Sequence, residues 1–481
     1  MLRPWNTILA IDVDKQLSVY QQIADGIIAE IRKGRLKPGT PLPGSRVLAA
    51  DIGVNRKTVV LAYEGLIAEG WLETADKKGT FVSNNLPLSK KPLLKAGSPF
   101  AFNHTAGILP EQTTGAAALI TFNDGWPDVR LAPMDELAKA YKRIFQQKAR
   151  WRMLGYGHPQ GEERLRTALV NMLAFKRGMN TDKANICITR GSQMALYLTA
   201  HTLIKPGDAV AIECPGYLPA WQTLAGAGAR MINIPVDDKG LVVEELERVC
   251  STTPLKAVYV TPHHQFPTAV SMKMERRLKL IALSNRYSFA IIEDDYDHEF
   301  HFDAKSLLPL ASNQHAANVI YISSLSKLVA PAVRIGYVTG PAAFIASLAQ
   351  LRGLVDRQGD PIMEQAIAEL MEQGAVNRHA RRAFNIYKER RECMYQYLQT
   401  YLGGKTAFVK PAGGLAYWVK FKRAHNTENL AAQLLKKGVS IMPTERFSFS
   451  GVPLNAIRLG YASLTPEELE EGIRLLATVI K

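Results

Sequence analysis

The chain has 481 residues, of which 47% are hydrophobic and 21% charged, and its formal net charge at pH 7 is +15. This length exceeds one ordinary core, so two or three globular domains are expected, and the basic balance favours a polyanionic partner such as nucleic acid. The four cysteines form no C-x-x-C pair, which argues against a disulfide framework or a zinc knuckle, and we expect no metal site. The N-terminus lacks a signal-peptide pattern and no apolar run reaches the roughly 18 residues of a membrane span, which predicts a cytoplasmic protein without membrane contact.

Residues 1–84 predict a small DNA-binding domain. One helix has an apolar face that includes Tyr20 and Ile23, a second runs from Ser45 to Gly53, and a third begins after Asn55 as its cap. Two short β segments, WLETA and GTFVS, follow and are joined by a polar turn. Three helices and a β-hairpin in this order are the outline of a winged helix-turn-helix.

In such motifs the first residues of the recognition helix face the base edges, and neighbouring residues hold phosphates. The residues that we expect to contact DNA are Arg46, Arg56, Lys57, Thr58 and, within the wing from Lys77 to Thr80, Gly79. The alternative is a small helical bundle whose basic residues form a solvated face.

Residues 85–118 are rich in Ser, Pro, Gly and Ala, and this composition predicts a linker. Residues 119–481 alternate between strand and helix patterns, which predicts an α/β domain with a largely parallel sheet. The strand candidates are ICIT, AVAIE, AVYVT, FAIIE, NVIYIS and RIGYVTG. Ligands bind such sheets beyond the carboxyl ends of the strands. A basic helix beyond about residue 370 indicates a small C-terminal subdomain.

Lys327 is the first candidate for chemistry. It follows a strand candidate within SSLSKLVAPAVRIGY, among small hydroxyl residues and apolar residues. A lysine in such a setting can form a Schiff base with an aldehyde, and pyridoxal 5'-phosphate is the cofactor that makes most use of this. Asp294, at the end of FAIIE, would hold the pyridine nitrogen, and Tyr296 would reach the ring oxygen. The alternative is that these acidic residues form a solvated loop.

A phosphate cradle is predicted where a glycine-containing loop precedes a helix, because free N–H groups at a helix N-terminus bind anions. An arginine would add charge-assisted bonds. The cradle candidates are Gly191, Ser192, Gln193, Ser324, Ser326 and Arg334. The alternatives are an ordinary strand–helix junction and an arginine that caps carbonyl groups.

Three further segments contain candidate ligands. Tyr217 in CPGYL would cover the cofactor ring, and His264 and Gln265 in TPHHQFPTAV would hydrogen-bond the cofactor. Arg458 in NAIRLGYAS would capture a carboxylate. The corresponding alternatives are a core tyrosine, a satisfied loop histidine and a strand-edge salt bridge.

The order of these motifs, Gly-Ser-Gln, P-G-Y, HQ-x-P-T, EDDY, S-x-S-K and R-L-G-Y, resembles the fold type I aminotransferases. The segment from LSVYQQIADGI to KKGTFV looks like the GntR winged helix. Joined by a linker, the two resemble the MocR/GabR subfamily of bacterial transcription regulators over nearly the whole chain.

This resemblance implies a DNA-binding regulator that binds double-stranded operator DNA and pyridoxal phosphate and senses an amino compound or a form of vitamin B6. It also implies a head-to-tail homodimer. The roles that it gives to individual residues are Schiff-base lysine for Lys327, pyridinium partner for Asp294, phenolate partner for Tyr296, phosphate ligand for Arg334, effector carboxylate ligand for Arg458 and phosphate contact across the dimer for Tyr156.

Three positions depart from the subfamily pattern. Ala269 stands where P-T-G is usual, and Cys214 stands where an acid often precedes P-G-Y. Pro219 stands where members that bind GABA have an arginine, so a GABA effector is not expected. Two other functions remain open at this point: a working aminotransferase with an accessory DNA-binding domain, and a scaffold that binds neither ligand.

Overall fold

The computed structural model of the chain describes residues 5, 9, 11–12, 17–75, 78–87, 119–147, 150–303 and 307–480. The chain divides into two compact units, Met1–Ala106 and Gly107–Lys481. Most of the predicted linker, residues 88–118, lies outside the described residues, as does the predicted wing residue Lys77.

The N-terminal unit is the expected winged helix-turn-helix. Its elements are α1 (Val19–Arg32), α2 (Ser45–Ile52), α3 (Arg56–Ala68), β1 (Leu72–Ala75) and β2 (Gly79–Val82). The two strands form an antiparallel hairpin in which Leu72 pairs with Val82.

Local chemistry sets the turn between α2 and α3. Helix α2 ends at Gly53, whose φ of +68° is a conformation that glycine adopts without a Cβ clash. Helix α3 begins after Asn55, whose side chain accepts the N–H of Lys57 at 2.9 Å. The apolar face of α1 is buried at Ile23, but Tyr20 was wrongly placed there, since it remains 37% exposed.

The C-terminal unit contains an eight-stranded sheet in the order β4–β11–β10–β9–β8–β5–β6–β7. Its strands are β4 (Ile186–Thr189), β5 (Ala209–Cys214), β6 (Arg230–Asp237), β7 (Gly240–Leu241), β8 (Ala257–Val260), β9 (Ala290–Asp295), β10 (Val319–Ser324) and β11 (Gly336–Thr339). The pairs β10–β9, β9–β8, β8–β5 and β5–β6 are parallel, and β11 is antiparallel to both of its neighbours. The predicted, largely parallel sheet is therefore confirmed.

Helices cover both faces of this sheet because successive strand residues point to opposite sides. In β5, Val210 and Ile212 join one apolar cluster, whereas Ala209 and Ala211 join another. The helices of the unit are α4 (Met134–Gln146), α5 (Glu163–Arg177), α6 (Gly191–Leu203), α7 (Leu218–Gly226), α8 (Val243–Cys250), α9 (Met274–Tyr287), α10 (Ala342–Val355), α11 (Pro361–Glu372), α12 (Ala375–Leu402), α13 (Thr427–Leu435) and α14 (Pro466–Val479). Among the described residues, no helix has both the length and the apolar character that a membrane crossing requires.

The last part of the chain forms a smaller layer that also takes in the start of the unit. Its strands are β12 (Thr406–Phe408), β13 (Ala416–Phe421), β14 (Val439–Ile441) and β15 (Ala456–Gly460). Strand β3 (Ile120–Phe122) pairs in parallel with β14, and Phe122 is buried in the same apolar cluster as Leu415 and Ile457. The segment just after β3 is thereby held beside β15, which positions it for the site described next.

Candidate functional site

Strand register brings the predicted site residues to one edge of the sheet. Thr189 at the end of β4 pairs with Gly336 of β11, which pairs with Ser324 at the end of β10. On the other side of β10, Ile322 pairs with Asp294 of β9. The loops that follow β4, β9 and β10 therefore begin side by side, as the rule for parallel α/β sheets predicts.

Lys327 lies in the loop after β10 and is half-buried. Its Nζ lies over the ring of Tyr296, 4.5 Å from the ring centroid. Burial lowers the pKa of Lys327, and the negative charges of Asp297 and Asp124 oppose that shift. A lowered pKa increases the fraction of neutral amine, which is the form that attacks an aldehyde.

The acidic run at the end of β9 is buried rather than solvated, so the loop alternative is wrong. Glu293 accepts two backbone N–H groups, and Asp295 accepts the hydroxyl of Tyr321 at 2.7 Å. Asp294 accepts the hydroxyl of Tyr259 at 2.8 Å through Oδ2. Its Oδ1 is buried with no hydrogen-bond partner among the described residues. Burial raises the pKa of Asp294 to about 7.

At the first residue of α6, the backbone of Gly191 lies against the Arg334 side chain. Gly191 has a φ of +79°, and a Cβ at this position would lie 3.0 Å from Nη1 of Arg334. The Arg334 guanidinium donates to the carbonyl of Arg190 at 2.8 Å. Arg334 therefore caps a carbonyl group, as the alternative interpretation of the sequence expected. The helix N-terminus and the guanidinium together offer anion-binding donors at one place.

The other cradle candidates are arranged around this point. The Ser324 hydroxyl accepts the backbone N–H of Ser326 at 3.0 Å, and the two hydroxyl oxygens are 2.9 Å apart. Ser192 is half-buried at the start of α6, whereas Gln193 is exposed and donates to Thr223 at 2.8 Å.

Aromatic and amide groups form one wall of the site. The ring of Tyr217 meets the ring of Phe266 edge-on at 5.1 Å. The Tyr296 hydroxyl donates to the main-chain carbonyl of His264 at 2.8 Å. The Gln265 amide donates to the carbonyl of Pro215 at 2.8 Å, so it braces two loops.

Arg458 and Tyr156 differ from the rest in their surroundings. Arg458 is buried, and its guanidinium donates to the carbonyls of Asp124 and Pro267. Within the described part of the chain it forms no strand-edge salt bridge. Tyr156 is 83% exposed, and the guanidinium of Arg357 covers its ring. Within one chain, Tyr156 is thus available to another molecule.

Sequence reasoning missed two residues of the site. Tyr259 lies within a buried strand, where its pattern is that of an ordinary core residue. Asp124 follows β3, far away in sequence, and its carboxylate affects the pKa values of Lys327, Tyr217 and Tyr296. The pairing of β3 with β14 and the hydrogen bonds from Arg458 to its carbonyl place it there.

The departure at Ala269 has a conformational consequence. Its φ is +60°, and it closes a tight turn in which its N–H donates to the carbonyl of Gln265 at 2.6 Å. A non-glycine residue in the left-handed region costs about 1–2 kcal/mol. The turn that holds the site wall is therefore strained in this chain.

The predicted DNA-contacting residues cluster at two neighbouring helix ends. Arg56 opens α3 and its Nε lies 3.4 Å from Oγ of Ser45, the first residue of α2. Arg46, Arg56 and Lys57 are exposed, and Thr58 is half-buried. Gly79 is exposed in the wing with a φ of +111°.

Residues 120–476 match the family described as "Aminotransferase class I and II", and residues 19–82 match "Bacterial regulatory proteins, gntR family". The chain is 29% identical to the probable rhizopine catabolism regulatory protein MocR of Rhizobium meliloti, over 98% of this chain and 95% of that protein. It is 30% identical to the HTH-type transcriptional regulator TauR of Rhodobacter capsulatus, over 97% of this chain and 96% of that protein. The chain belongs to the MocR-type GntR regulators.

The MocR-type architecture joins a DNA-binding domain to an aminotransferase fold. The kynurenine aminotransferase of Pyrococcus horikoshii, solved in complex with PMP, superimposes with a TM-score of 0.71 at 28% identity, over 76% of this chain and 91% of that one. The predicted fold type I aminotransferase domain after a GntR winged helix is therefore confirmed.

Ala269→Gly is predicted to stabilise the C-terminal unit by about 0.5–1 kcal/mol, because relief of the left-handed strain exceeds the added unfolded-state entropy. Urea unfolding measures the difference. Ala346→Gly, on the exposed face of α10, is the control and should destabilise by about 1 kcal/mol. A loss of stability in both variants would contradict the strain at position 269.

Proposed function

We propose that this MocR-type regulator holds pyridoxal 5'-phosphate on Lys327 and changes its DNA binding when an amino compound, or the cofactor itself, occupies the site. The single observation that carries the proposal is the Lys327 amine, whose pKa is lowered by burial, 4.5 Å from the centroid of the Tyr296 ring and within the electrostatic reach of Asp294. A surface lysine needs no such surroundings.

The residues present fit the cofactor. The unpartnered Oδ1 of Asp294 suits a protonated ring nitrogen, and the Tyr259 hydroxyl holds the other carboxylate oxygen. The donors of Gly191, Ser192 and Arg334 suit a phosphate. When bound, pyridoxal phosphate supplies an electrophilic carbon and an electron-withdrawing ring.

The chain's own residues have distinct tasks in this proposal. Lys327 provides the neutral amine, and Asp294 keeps a proton on the ring nitrogen. Tyr217 packs against Phe266 and covers the ring. The two remaining N–H groups of the Arg458 guanidinium, beyond those bound to Asp124 and Pro267, would take an effector carboxylate.

An effector shifts a conformational equilibrium only through different contacts in the two states. An amino compound that displaces the Lys327 amine frees that side chain from the cofactor, and this difference would be transmitted to the DNA-binding unit. The exposed Tyr156 would reach the phosphate of a second chain in a head-to-tail homodimer. Access to operator DNA requires a cytoplasmic location.

The alternative is a working aminotransferase with an accessory DNA-binding domain. The same lysine, aspartate and arginine would serve either function. The two regulators matched over nearly the whole chain favour regulation. Retardation of promoter DNA without sustained keto-acid production would support the regulator, and the reverse result would support the enzyme.

Lys327→Ala is predicted to abolish the visible absorbance of the protein-bound cofactor and the response of DNA binding to an amino compound. DNA binding itself should remain, because the winged helix is a separate unit. Absorbance spectra and gel retardation with and without a panel of amines measure the three properties. Lys436→Ala, on another surface of the same unit, is the control and should behave as wild type. Persistence of the amine response in Lys327→Ala would contradict the proposal.

Arg56→Ala is predicted to weaken operator binding by about 1–3 kcal/mol and to relax specificity at one base pair, if Arg56 reads a guanine. Fluorescence anisotropy at constant salt measures the affinity. Lys33→Ala removes a positive charge at the end of α1 and serves as the control, for which only a small loss is expected. Equal losses for both variants would mean that Arg56 contributes charge alone.

A further inference from the structure

Four histidine rings pack together in the C-terminal unit: those of His263, His264, His298 and His301. The ring centroids of His263 and His264 are 4.4 Å apart, and those of His263 and His298 are 4.5 Å apart. The rings of His264 and His301 are stacked, with an interplanar angle of 9°. His264 was predicted to hydrogen-bond the cofactor, but its Nδ1 lies 2.7 Å from the Asp297 carboxylate and its Nε2 lies 3.3 Å from Nδ1 of His301. Tyr296 binds only the main-chain carbonyl of His264, so the function proposed above does not use these rings.

Two ring nitrogens in this cluster have the separation of metal ligands. Nδ1 of His264 lies 2.7 Å from the Asp297 carboxylate, so it donates its proton there and leaves a lone pair on Nε2. That Nε2 lies 3.3 Å from Nδ1 of His301. Two nitrogens bound to one tetrahedral ion at about 2.0–2.1 Å are about 3.3–3.4 Å apart. One ring nitrogen of His263 lies within 4.8 Å of both.

The carboxylates around the cluster support this geometry. A metal-binding histidine almost always donates its other N–H to a carboxylate, a backbone carbonyl or water, which fixes the tautomer and the ring orientation. Asp297 does this for His264. Asp295 holds His298 in the same way, at 2.7 Å, and the His298 ring stacks on His263 and orients it.

The cluster is also accessible from solvent. His298 and His301 line a cavity of about 520 Å³ that opens to solvent. This cavity offers an entry path and space in which a solvent molecule would take the fourth coordination position.

We propose that His263, His264 and His301 form a binding site for a late first-row divalent metal ion of the Zn²⁺ class. Imidazole ligands favour Zn²⁺, Ni²⁺ or Cu²⁺ over Mg²⁺ and Ca²⁺, which prefer oxygen. The ion replaces the contact between His264 and His301, and the proton on Nδ1 of His301 moves to Nε2. Asp294 and Tyr296 precede His301 on the same segment, so the occupied site would fix the loop that borders the proposed cofactor site.

Zinc sulfate alone, added to the full-length chain after chelator treatment and dialysis, tests this inference. Equilibrium dialysis with elemental analysis should find one zinc ion per chain, and cobalt chloride alone should give the visible bands of a tetrahedral nitrogen-ligated ion. His301→Ala and His301→Asn should each weaken binding at least tenfold. His301→Asn keeps a hydrogen-bonding side chain, and thermal melting verifies that both variants fold.

His315→Ala is the matched control, because His315 is exposed and lies outside the cluster, and it should bind zinc as wild type does. Stoichiometric binding that depends on His301 and not on His315 supports the site. Zinc binding that is absent, or equal in wild type and His301→Ala, would overturn it. The 3.3 Å contact would then be a hydrogen bond in a chain from Asp297 to His301.

Discussion

The burial of charged groups at the carboxyl ends of β9 and β10 is the constraint on which the C-terminal unit depends. Three consecutive acidic residues, Glu293, Asp294 and Asp295, are buried in one strand. Each accepts hydrogen bonds. Glu293 accepts the backbone N–H groups of Leu310 and Ala311. Asp294 accepts the hydroxyl of Tyr259, and Asp295 accepts the hydroxyl of Tyr321. A buried carboxylate is costly without hydrogen bonds, and these donors compensate the loss of hydration of the three carboxyl groups. The remaining unpartnered oxygen of Asp294 is where a cationic ring nitrogen would complete the arrangement.

Burial near charged groups also distinguishes Lys327 from the lysines on the surface. The Lys327 side chain is half-buried, and its amine lies over the ring of Tyr296. Carboxylates lie near enough to affect the pKa of this amine, but among the described residues none forms a salt bridge with it. Burial favours the neutral form, and the nearby negative charges limit the shift. In the proposed function, the site would exchange one amine for another, which is the chemistry that sensing and turnover share. The fused winged helix and the full-length regulator relatives assign that chemistry to regulation.

Much of this arrangement could be predicted from the sequence, because local chemistry dictates it. The alternation of apolar runs predicted the strands, and Gly53 and Asn55 predicted the turn of the DNA-binding motif. The pairing of strands that are far apart in the sequence could not be predicted from local sequence patterns. Asp124 reaches the site because β3 pairs with β14, more than 300 residues further along the chain. Tyr20 has the spacing of a buried residue but lies at the rim of the α1 face, where exposure is decided by what packs opposite. The histidine cluster likewise combines two segments that the sequence separates.

The proposed covalent bond between Lys327 and the cofactor can be tested most directly. Borohydride reduction of the cofactor-loaded protein, followed by proteolysis and mass spectrometry, locates that bond. The account predicts a phosphopyridoxyl group on the peptide that contains Lys327 and on no other lysine. Attachment to a different lysine, or a cofactor that dissociates intact after reduction, would contradict it.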